Sequence, residues 1–268
     1  MRTGQGNGAC HQGLTATNFL SALSPSAAGA FDAIKVTTTY PSGAVVFVEG
    51  EAPRGVFVLS TGRAKVSIGS ASGKVMILRI AKAGEILGLH AAVSGAVFQA
   101  TAQTIEPCRI GFVRREEFLR FLRDYPQASL EAARQLSTSY QDACDQLRAI
   151  GLCDSARKKV ARFVLESVEN GDLREDGVRA TLTLTHEEIG QLIGTSRETI
   201  TRALGDFKTR RWVLIKGSTL LVQDKAALRD LAGYDSPASF ETPHRAAPSG
   251  GRPYLNPHNP VRLREDRS

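Results

Sequence analysis

The chain has 268 residues, of which 42% are hydrophobic and 23% charged, a composition typical of a globular protein long enough for two domains. No apolar run reaches the ~18 residues that a membrane-spanning helix needs, and the first residues lack the apolar core of a signal peptide. We therefore expect a cytoplasmic protein with no membrane partner. The four cysteines form no Cys-x-x-Cys pair, which argues against a disulfide framework or a zinc ribbon. The net charge of +7 permits a polyanionic partner without requiring one.

The two ends of the chain differ from its middle in composition. Residues 1–18 show no hydrophobic periodicity, and residues 233–268 are dense in Pro, Gly, Ser and Arg. Such segments bury too little apolar surface to offset the entropy lost on ordering. We predict a disordered leader over 1–18 and a disordered tail over 233–268.

Short β-type runs separated by glycines occupy the stretch from about Ile34 to Val113. The clearest runs are Ala44–Phe47, Gly55–Leu59, Ala64–Ile68, Val75–Ile80 and Cys108–Val113. Many short strands at a spacing of roughly ten residues predict an antiparallel sandwich or barrel. We assign this sensor domain to residues 19–125.

The periodicity becomes helical after this stretch. Residues 115–123 predict a short helix that ends near Pro126, and a longer helix follows from about Gln127 to Ile150. Its apolar residues recur at spacings of three and four, as in a coiled-coil seam: Ala133, Leu136, Tyr140, Ala143, Leu147 and Ile150. This stripe either covers the helix's own β-domain or pairs two copies. We favour the dimer seam and assign 126–153 to a dimerisation helix and hinge.

A further helix is predicted over Ala156–Val168, and the segment 182–207 then has the pattern of two helices joined by a short turn. Thr185 followed by Glu188 is a capping box, and Gly194 begins a tight turn. Ser196 caps the second helix, which turns apolar residues to one side: Ile200, Ala203, Leu204 and Phe207. Its other side is polar: Arg197, Glu198, Thr201 and Arg202. This is the pattern of a helix-turn-helix whose recognition helix begins with its polar stripe.

The residue types on that stripe suit the reading of base edges. Arginine donates two parallel hydrogen bonds to guanine, and glutamate accepts one from cytosine. The alternative is a set of ordinary surface pairs on an exposed helix. The basic cluster that follows and the hairpin over residues 212–222, a wing, favour double-stranded DNA, and we assign 154–232 to a winged DNA-binding domain. The candidate phosphate contacts are Thr185, Ser196, Thr199, Lys208, Lys216 and Ser218.

The order of β-domain, long helix and winged helix-turn-helix resembles the catabolite activator (Crp–Fnr) family of bacterial transcription regulators over about residues 19–232. The most specific matching stretches are Glu188–Gly194 and Ser196–Arg202. The resemblance implies an α+β fold with a cyclic-nucleotide-binding-like antiparallel β-roll. It also implies a homodimer that reads two TGTGA-like half-sites about 34 Å apart through Arg197, Glu198 and Arg202. We expect RNA polymerase as a further partner and no enzymatic activity.

The effector site departs from this family's pattern. Members that bind cyclic AMP hold the ribose with a glutamate and the cyclic phosphate with an arginine and a serine. Here Gly88 matches, but Leu89 replaces the glutamate, and Gln99 and Ala100 stand at the arginine and serine positions. A buried phosphate without a cation is poorly compensated, so we expect no cyclic AMP binding in the usual manner.

Other sensing chemistries have weaker support in the sequence. An iron–sulfur branch of the family uses three N-terminal cysteines, whereas Cys10 stands alone, so Cys108 is interpreted as a buried small hydrophobe. His90 occupies the position of an axial histidine in a haem-binding member, which keeps haem open as an alternative to a structural or exposed histidine. The long helix supplies Cys144, Asp145 and Gln146 as candidate pocket residues. We predict no metal and no cofactor, and the effector is left unidentified.

Two other functions are alternatives to a sequence-specific homodimeric regulator. A nucleotide-regulated enzyme or channel module would share the β-roll but would not need the winged helix. A low-specificity architectural DNA binder would not need the Arg-Glu…Arg stripe.

Overall fold

The structure, a computed structural model, describes residues 19–151, 155–168, 172–174 and 177–233. The predicted leader and the end of the predicted hinge lie outside these residues. The predicted tail does so too, except for its first residue, Gly233. Among the described helices, none combines the length and the apolar character needed to cross a bilayer.

The first half of the described chain is built from eight strands. They are β1 Val36–Tyr40, β2 Val45–Phe47, β3 Gly55–Thr61, β4 Arg63–Gly69, β5 Val75–Lys82, β6 Ile86–Leu87, β7 Thr101–Thr104 and β8 Cys108–Arg114. They form two antiparallel sheets with the orders β1-β8-β3-β6 and β2-β7-β4-β5. The predicted antiparallel β-domain is confirmed, and each of the five predicted runs overlaps one of these strands.

Four helices accompany these sheets. They are α1 Pro25–Ile34, α2 Leu89–Ser94, α3 Arg115–Asp124 and α4 Pro126–Gly151. Phe19, Phe31 and Phe118 are fully buried, and the rings of Phe31 and Phe121 have centroids 5.0 Å apart. These aromatic side chains join α1 and α3 to the first sheet in one core, which also contains Ala128 and Ala132 from the start of α4.

A buried glutamine connects α4 to strand β6. Gln135 is 5% exposed; its Oε1 accepts the Ile86 N–H at 3.0 Å, and its Nε2 donates to the Ile86 carbonyl at 2.6 Å. Both backbone groups of one buried residue therefore depend on a single side chain.

We expect Gln135→Ala to lower the free energy of unfolding by about 2 kcal/mol, because it leaves two buried backbone groups without partners. Gln141→Ala, an exposed site on the same helix, is the matched control and should change it by less than about 0.5 kcal/mol. Urea denaturation of both variants measures the difference. Equal midpoints would show that water satisfies Ile86 instead.

The second half combines four helices with a four-stranded sheet. Its elements are α5 Ala156–Val168, β9 Asp172–Arg174, β10 Gly177–Thr181, α6 His186–Ile193, α7 Arg197–Thr209, β11 Val213–Lys216, β12 Thr219–Val222 and α8 Lys225–Ala232. The sheet is antiparallel with the order β11-β12-β10-β9. The helices enclose a core that includes Val160, Ile189, Ile200, Leu204, Phe207 and Leu220. The predicted helix over Ala156–Val168 and the predicted wing hairpin are confirmed.

Candidate nucleic-acid interface and internal cavity

The start of α6 is fixed by the predicted capping box. The Thr185 hydroxyl accepts the Glu188 N–H at 3.2 Å, and the Glu188 carboxylate accepts the Thr185 N–H at 3.0 Å. At its other end, Gly194 adopts a left-handed conformation with φ of 67°, which favours glycine. Ser196 then caps α7 by accepting the Thr199 N–H at 3.2 Å. These bonds set the angle between the two helices of the helix-turn-helix.

A glycine in α6 allows the turn to approach that helix closely. The Gly190 carbonyl accepts the Thr195 N–H at 2.9 Å. A Cβ atom on Gly190 would lie 2.7 Å from the Thr195 carbonyl oxygen and 3.3 Å from the Ser196 carbonyl carbon. Since both neighbours are backbone atoms, neither can move aside as a side chain would. The position of α7 therefore depends on the absence of a side chain at Gly190.

The predicted reading residues lie on the exposed side of α7. Arg197, Glu198 and Arg202 are exposed, whereas the apolar side of the helix is buried: Ile200, Ala203, Leu204 and Phe207. The N–H of Glu198 and the Ser196 hydroxyl, with Arg197 and Arg202 adding attraction, hold the pKa of the Glu198 carboxyl below its ordinary value. At neutral pH this group is an ionised hydrogen-bond acceptor on the same exposed side of α7 as the two arginines.

Thr201, the fourth predicted reading residue, has a hydroxyl that is engaged within the chain. It donates to the Arg197 carbonyl at 3.0 Å and lies 3.0 Å from Nδ1 of His186. This contact joins α7 to the first turn of α6. The methyl group of Thr201 is the part of the side chain left for an apolar contact with a base.

The candidate phosphate contacts form two groups. The hydroxyls of Thr185, Ser196 and Thr199 take part in helix capping or in hydrogen bonds to one another. Lys208, Lys216 and Ser218 are exposed, and neither lysine has an ion pair among the described residues. The two lysines, one at the end of α7 and one on the wing, are therefore free to neutralise phosphates.

A cavity of about 190 Å³ lies between α2, the second sheet and α4. The residues that line it include five of the predicted effector-pocket residues: Gly88, Leu89, His90, Gln99 and Ala100. Cys144 and Asp145, which the sequence also suggested, do not line it. Ser139 and Asp142, about one helical turn earlier on α4, do. The helix thus contributes polar groups to the cavity, but from a different turn than predicted.

The charges around this cavity do not favour an anion. Among the described lining residues, Arg79 is the one arginine or lysine, and its guanidinium pairs with the buried Glu85 carboxylate. The other Glu85 oxygen accepts the Lys82 N–H at 2.9 Å. Because Glu85 already compensates Arg79, that guanidinium is poorly placed to neutralise a phosphate. This arrangement agrees with the substitutions at Leu89, Gln99 and Ala100.

The two residues considered for metal or haem chemistry have different surroundings. Cys108 is buried, its Sγ donates to the Arg63 carbonyl at 3.3 Å, and burial raises the pKa of its thiol. His90 is exposed at the cavity. The described residues contain no group of three His, Cys, Asp or Glu side chains placed to hold a metal ion.

The apolar stripe of α4 divides between two environments. Leu136 packs against the first core and lines the cavity, and Ile150 lies against α6, where a Cβ atom on Gly194 would be 3.0 Å from its Cγ1. Tyr140 is 72% exposed and Leu147 71%, and Ala143, which also lines the cavity, is exposed beside them. The exposed apolar face of α4 is thus formed by Tyr140, Ala143 and Leu147, with Leu130 nearer the start of the helix.

Helix α6 is also held by the β-domain and by α4. Nζ of Lys65 on β4 lies 2.9 Å from Oε1 of Glu188. Burial alone would raise the pKa of Glu188, but hydrogen bonds from Lys65 and Thr185 lower it below its ordinary value. From α4, Gln146 Nε2 donates to the Ile77 carbonyl on β5 at 3.3 Å and to the Leu192 carbonyl on α6. The cavity and the helix-turn-helix therefore share two walls, the β4–β5 hairpin and α4.

Comparison with known proteins identifies both halves. A family model described as a cyclic nucleotide-binding domain matches residues 37–125, and one described as a Crp-like helix-turn-helix domain matches residues 158–231. The chain is 27% identical over 216 residues to the CRP-like cAMP-activated global transcriptional regulator of Mycobacterium tuberculosis, covering 80% of this chain and 96% of that relative.

Two solved structures have similar folds. FixK2 from Bradyrhizobium japonicum aligns with a TM-score of 0.65 and 20% identity, over 74% of this chain and 97% of its own. The c-di-GMP responsive global regulator CLP from Xanthomonas campestris aligns with a TM-score of 0.66 and 17% identity, over 74% of this chain and 99% of its own. The chain belongs to the Crp–Fnr family of transcription regulators, with a DNA-binding helix-turn-helix formed by α6 and α7.

Proposed function

We propose that two copies of this chain bind a palindromic DNA site and read its TGTGA-like half-sites through Arg197, Glu198 and Arg202. The observation that carries this proposal is the exposed polar start of α7, where one carboxylate and two arginines share the solvent-facing side of the helix. Arginine discriminates guanine, and glutamate discriminates cytosine, by about 1–3 kcal/mol for each good contact. Glu198 also repels phosphate, which favours base reading over binding without sequence preference.

Binding of the purified chain to a palindrome with two TGTGA half-sites and to a scrambled duplex of equal length tests the proposal. Measured at one fixed salt concentration, the palindrome should bind at least about 1,000-fold more tightly. Equal affinities would support an architectural DNA binder instead.

The exposed apolar face of α4 supports a homodimer. Tyr140 and Leu147 lie two turns apart on one side of a helix and are more than two thirds exposed in the single chain. Side chains of this size gain about 1.5–3 kcal/mol each when they are fully buried. A second copy related by a two-fold axis would cover the same face on both chains.

We expect Leu147→Glu to convert the dimer to a monomer, because it places two like charges in the proposed seam. Gln141→Glu adds the same charge to an exposed position elsewhere on α4 and should leave the dimer intact. Sedimentation velocity of the two variants gives their masses. A dimer that survives Leu147→Glu would move the interface away from this face.

We propose that the cavity is an effector site that does not take a cyclic nucleotide in the way suggested by the name of the M. tuberculosis relative. The support is the neutralised Arg79 and the absence of any other arginine or lysine among the described lining residues. RNA polymerase is the proposed partner at the promoter, and the cytoplasm is the proposed location. Native mass spectrometry of freshly purified protein, with its absorbance spectrum, would show a bound nucleotide or a haem and so contradict this assignment.

A further inference from the structure

The walls of the cavity are mostly apolar. Phe47 and Phe98 stack with ring centroids 4.1 Å apart at one side, and Leu78, Leu87 and Leu89 contribute further apolar surface. An apolar protein cavity of about 150 Å³ accommodates benzene, so a space of about 190 Å³ suits an apolar group of about eight non-hydrogen atoms. The body of the ligand should therefore be small and apolar.

The polar groups of α4 give the cavity one chemically distinct side. Ser139 and Asp142 lie three residues apart on the helix and both line the cavity. Neither side chain has a hydrogen bond or ion pair among the described residues, whereas Gln135 on the same helix is fully engaged by Ile86. The side chains left to bind a ligand on this wall are thus a hydroxyl and a carboxyl group.

The charges of the residues around the α4 side of the cavity determine which ligands can bind there. Asp142 keeps a solvent-exposed side. Its partial burial nevertheless raises the pKa of its carboxyl, the carboxylates of Glu85 and Asp145 add to the increase, and Arg79 and Lys82 oppose it. Arg79 is paired with Glu85, so Asp142, when it is ionised, gives the lining of the cavity a net negative charge. A hydrogen-bond donor on the ligand would stabilise this carboxylate, and a negatively charged ligand would be repelled.

We propose that the cavity binds a small uncharged molecule with an apolar body and a hydroxyl group that donates to Asp142, beside Ser139. This inference rests on the proposed role of the cavity as the effector site and names the ligand class it would take. The β4–β5 hairpin and α4 contact both the cavity and α6. A ligand that moves them can therefore move α6 and, with it, the recognition helix α7. If it favours one arrangement of α6, it changes DNA affinity, and DNA changes ligand affinity by the same factor.

Three probes of similar size, 2-phenylethanol, ethylbenzene and phenylacetate, separate the effects of the hydroxyl group, the apolar body and a negative charge. Cyclic AMP is included as a larger anion. Each is titrated calorimetrically into the full chain. We expect 2-phenylethanol to bind most tightly, ethylbenzene more weakly, and phenylacetate at least about tenfold more weakly than the alcohol. Asp142→Asn should reduce the preference for the alcohol over phenylacetate to within about threefold. Asp124→Asn, an exposed carboxylate on α3, should leave that preference unchanged.

Ala100→Phe places a ring in the cavity and should abolish binding of the alcohol. Tighter binding of phenylacetate or cyclic AMP than of the alcohol would overturn the inference, as would no binding by any probe or an unchanged preference in Asp142→Asn. Palindrome binding is measured on the same preparation. Specific DNA binding without probe binding contradicts only the ligand class, whereas probe binding without specific DNA binding contradicts only the proposed reading function.

Discussion

An Arg202→Ala variant is expected to lose about 2–6 kcal/mol of binding free energy on the palindrome, because each of two half-sites loses a guanine contact worth about 1–3 kcal/mol. Arg202 is exposed on α7 and has no ion pair among the described residues, so its removal costs little in folding. On a scrambled duplex the same variant should lose much less. Fluorescence anisotropy with both duplexes at one salt concentration measures the two losses.

Glu198→Ala should relax base preference more than it weakens total binding, since it removes a base acceptor and a group that repels phosphate. Lys216→Ala on the wing is the matched comparison. It should weaken binding to all duplexes about equally and lower the slope of log affinity against log salt by about one unit per subunit.

The Arg202→Ala prediction has its own contradicting outcome. If that variant loses the same binding free energy on the palindrome and on scrambled DNA, Arg202 contacts the phosphate backbone and not a base.

Gly190→Ala is expected to lower the free energy of unfolding by about 3 kcal/mol, at the upper end for an overpacked site, because its new Cβ would meet two backbone groups. Relieving the contact must shift α7 away from α6, so specific DNA binding should also be lost. Gly205→Ala on α7 is the control: nothing lies within 4 Å of its Cβ position. That variant should gain up to about 1 kcal/mol from helix propensity.

Urea denaturation of the two glycine variants, followed by palindrome binding, distinguishes these expectations. If Gly190→Ala were as stable as the parent and bound DNA normally, the close approach of the turn to α6 would not be needed for the reading geometry. If both variants lost stability equally, the cost would arise from a general intolerance of alanine in these helices.

The helix-turn-helix could be predicted from local chemistry. Capping by Thr185 and Ser196 depends on neighbours within three residues, and the left-handed turn at Gly194 needs a residue without a Cβ. The sensor domain was predicted less completely. Strand β1, Val36–Tyr40, is exposed along most of its length, so it lacks the alternation that identifies a half-buried strand. Four of the ten residues of helix α1 are alanine, and Phe31 is its large buried side chain.

The rotation of α4 about its own axis could not be derived from its apolar stripe alone. Spacings of three and four identify apolar faces of a helix, but they do not say which members of the stripe pack against their own chain. In the structure Leu136 and Ile150 do so, whereas Tyr140 and Leu147 do not. This rotation of the helix also determines which of its polar residues line the cavity. Ser139 and the solvent-exposed Asp142 line the cavity, whereas Cys144 and Asp145 do not.

The dual role of Glu188 limits how this regulator can be recombined with others. One of its carboxylate oxygens caps α6, and the other pairs with Lys65, 123 residues earlier in the chain. A chimaera that grafts residues 158–231 onto a foreign sensor would keep the cap but lose the lysine unless the recipient supplies one at that place on its sheet. Chimaeras that lack this lysine should therefore recognise the same promoters as the parent but respond poorly to the ligand of their new sensor domain.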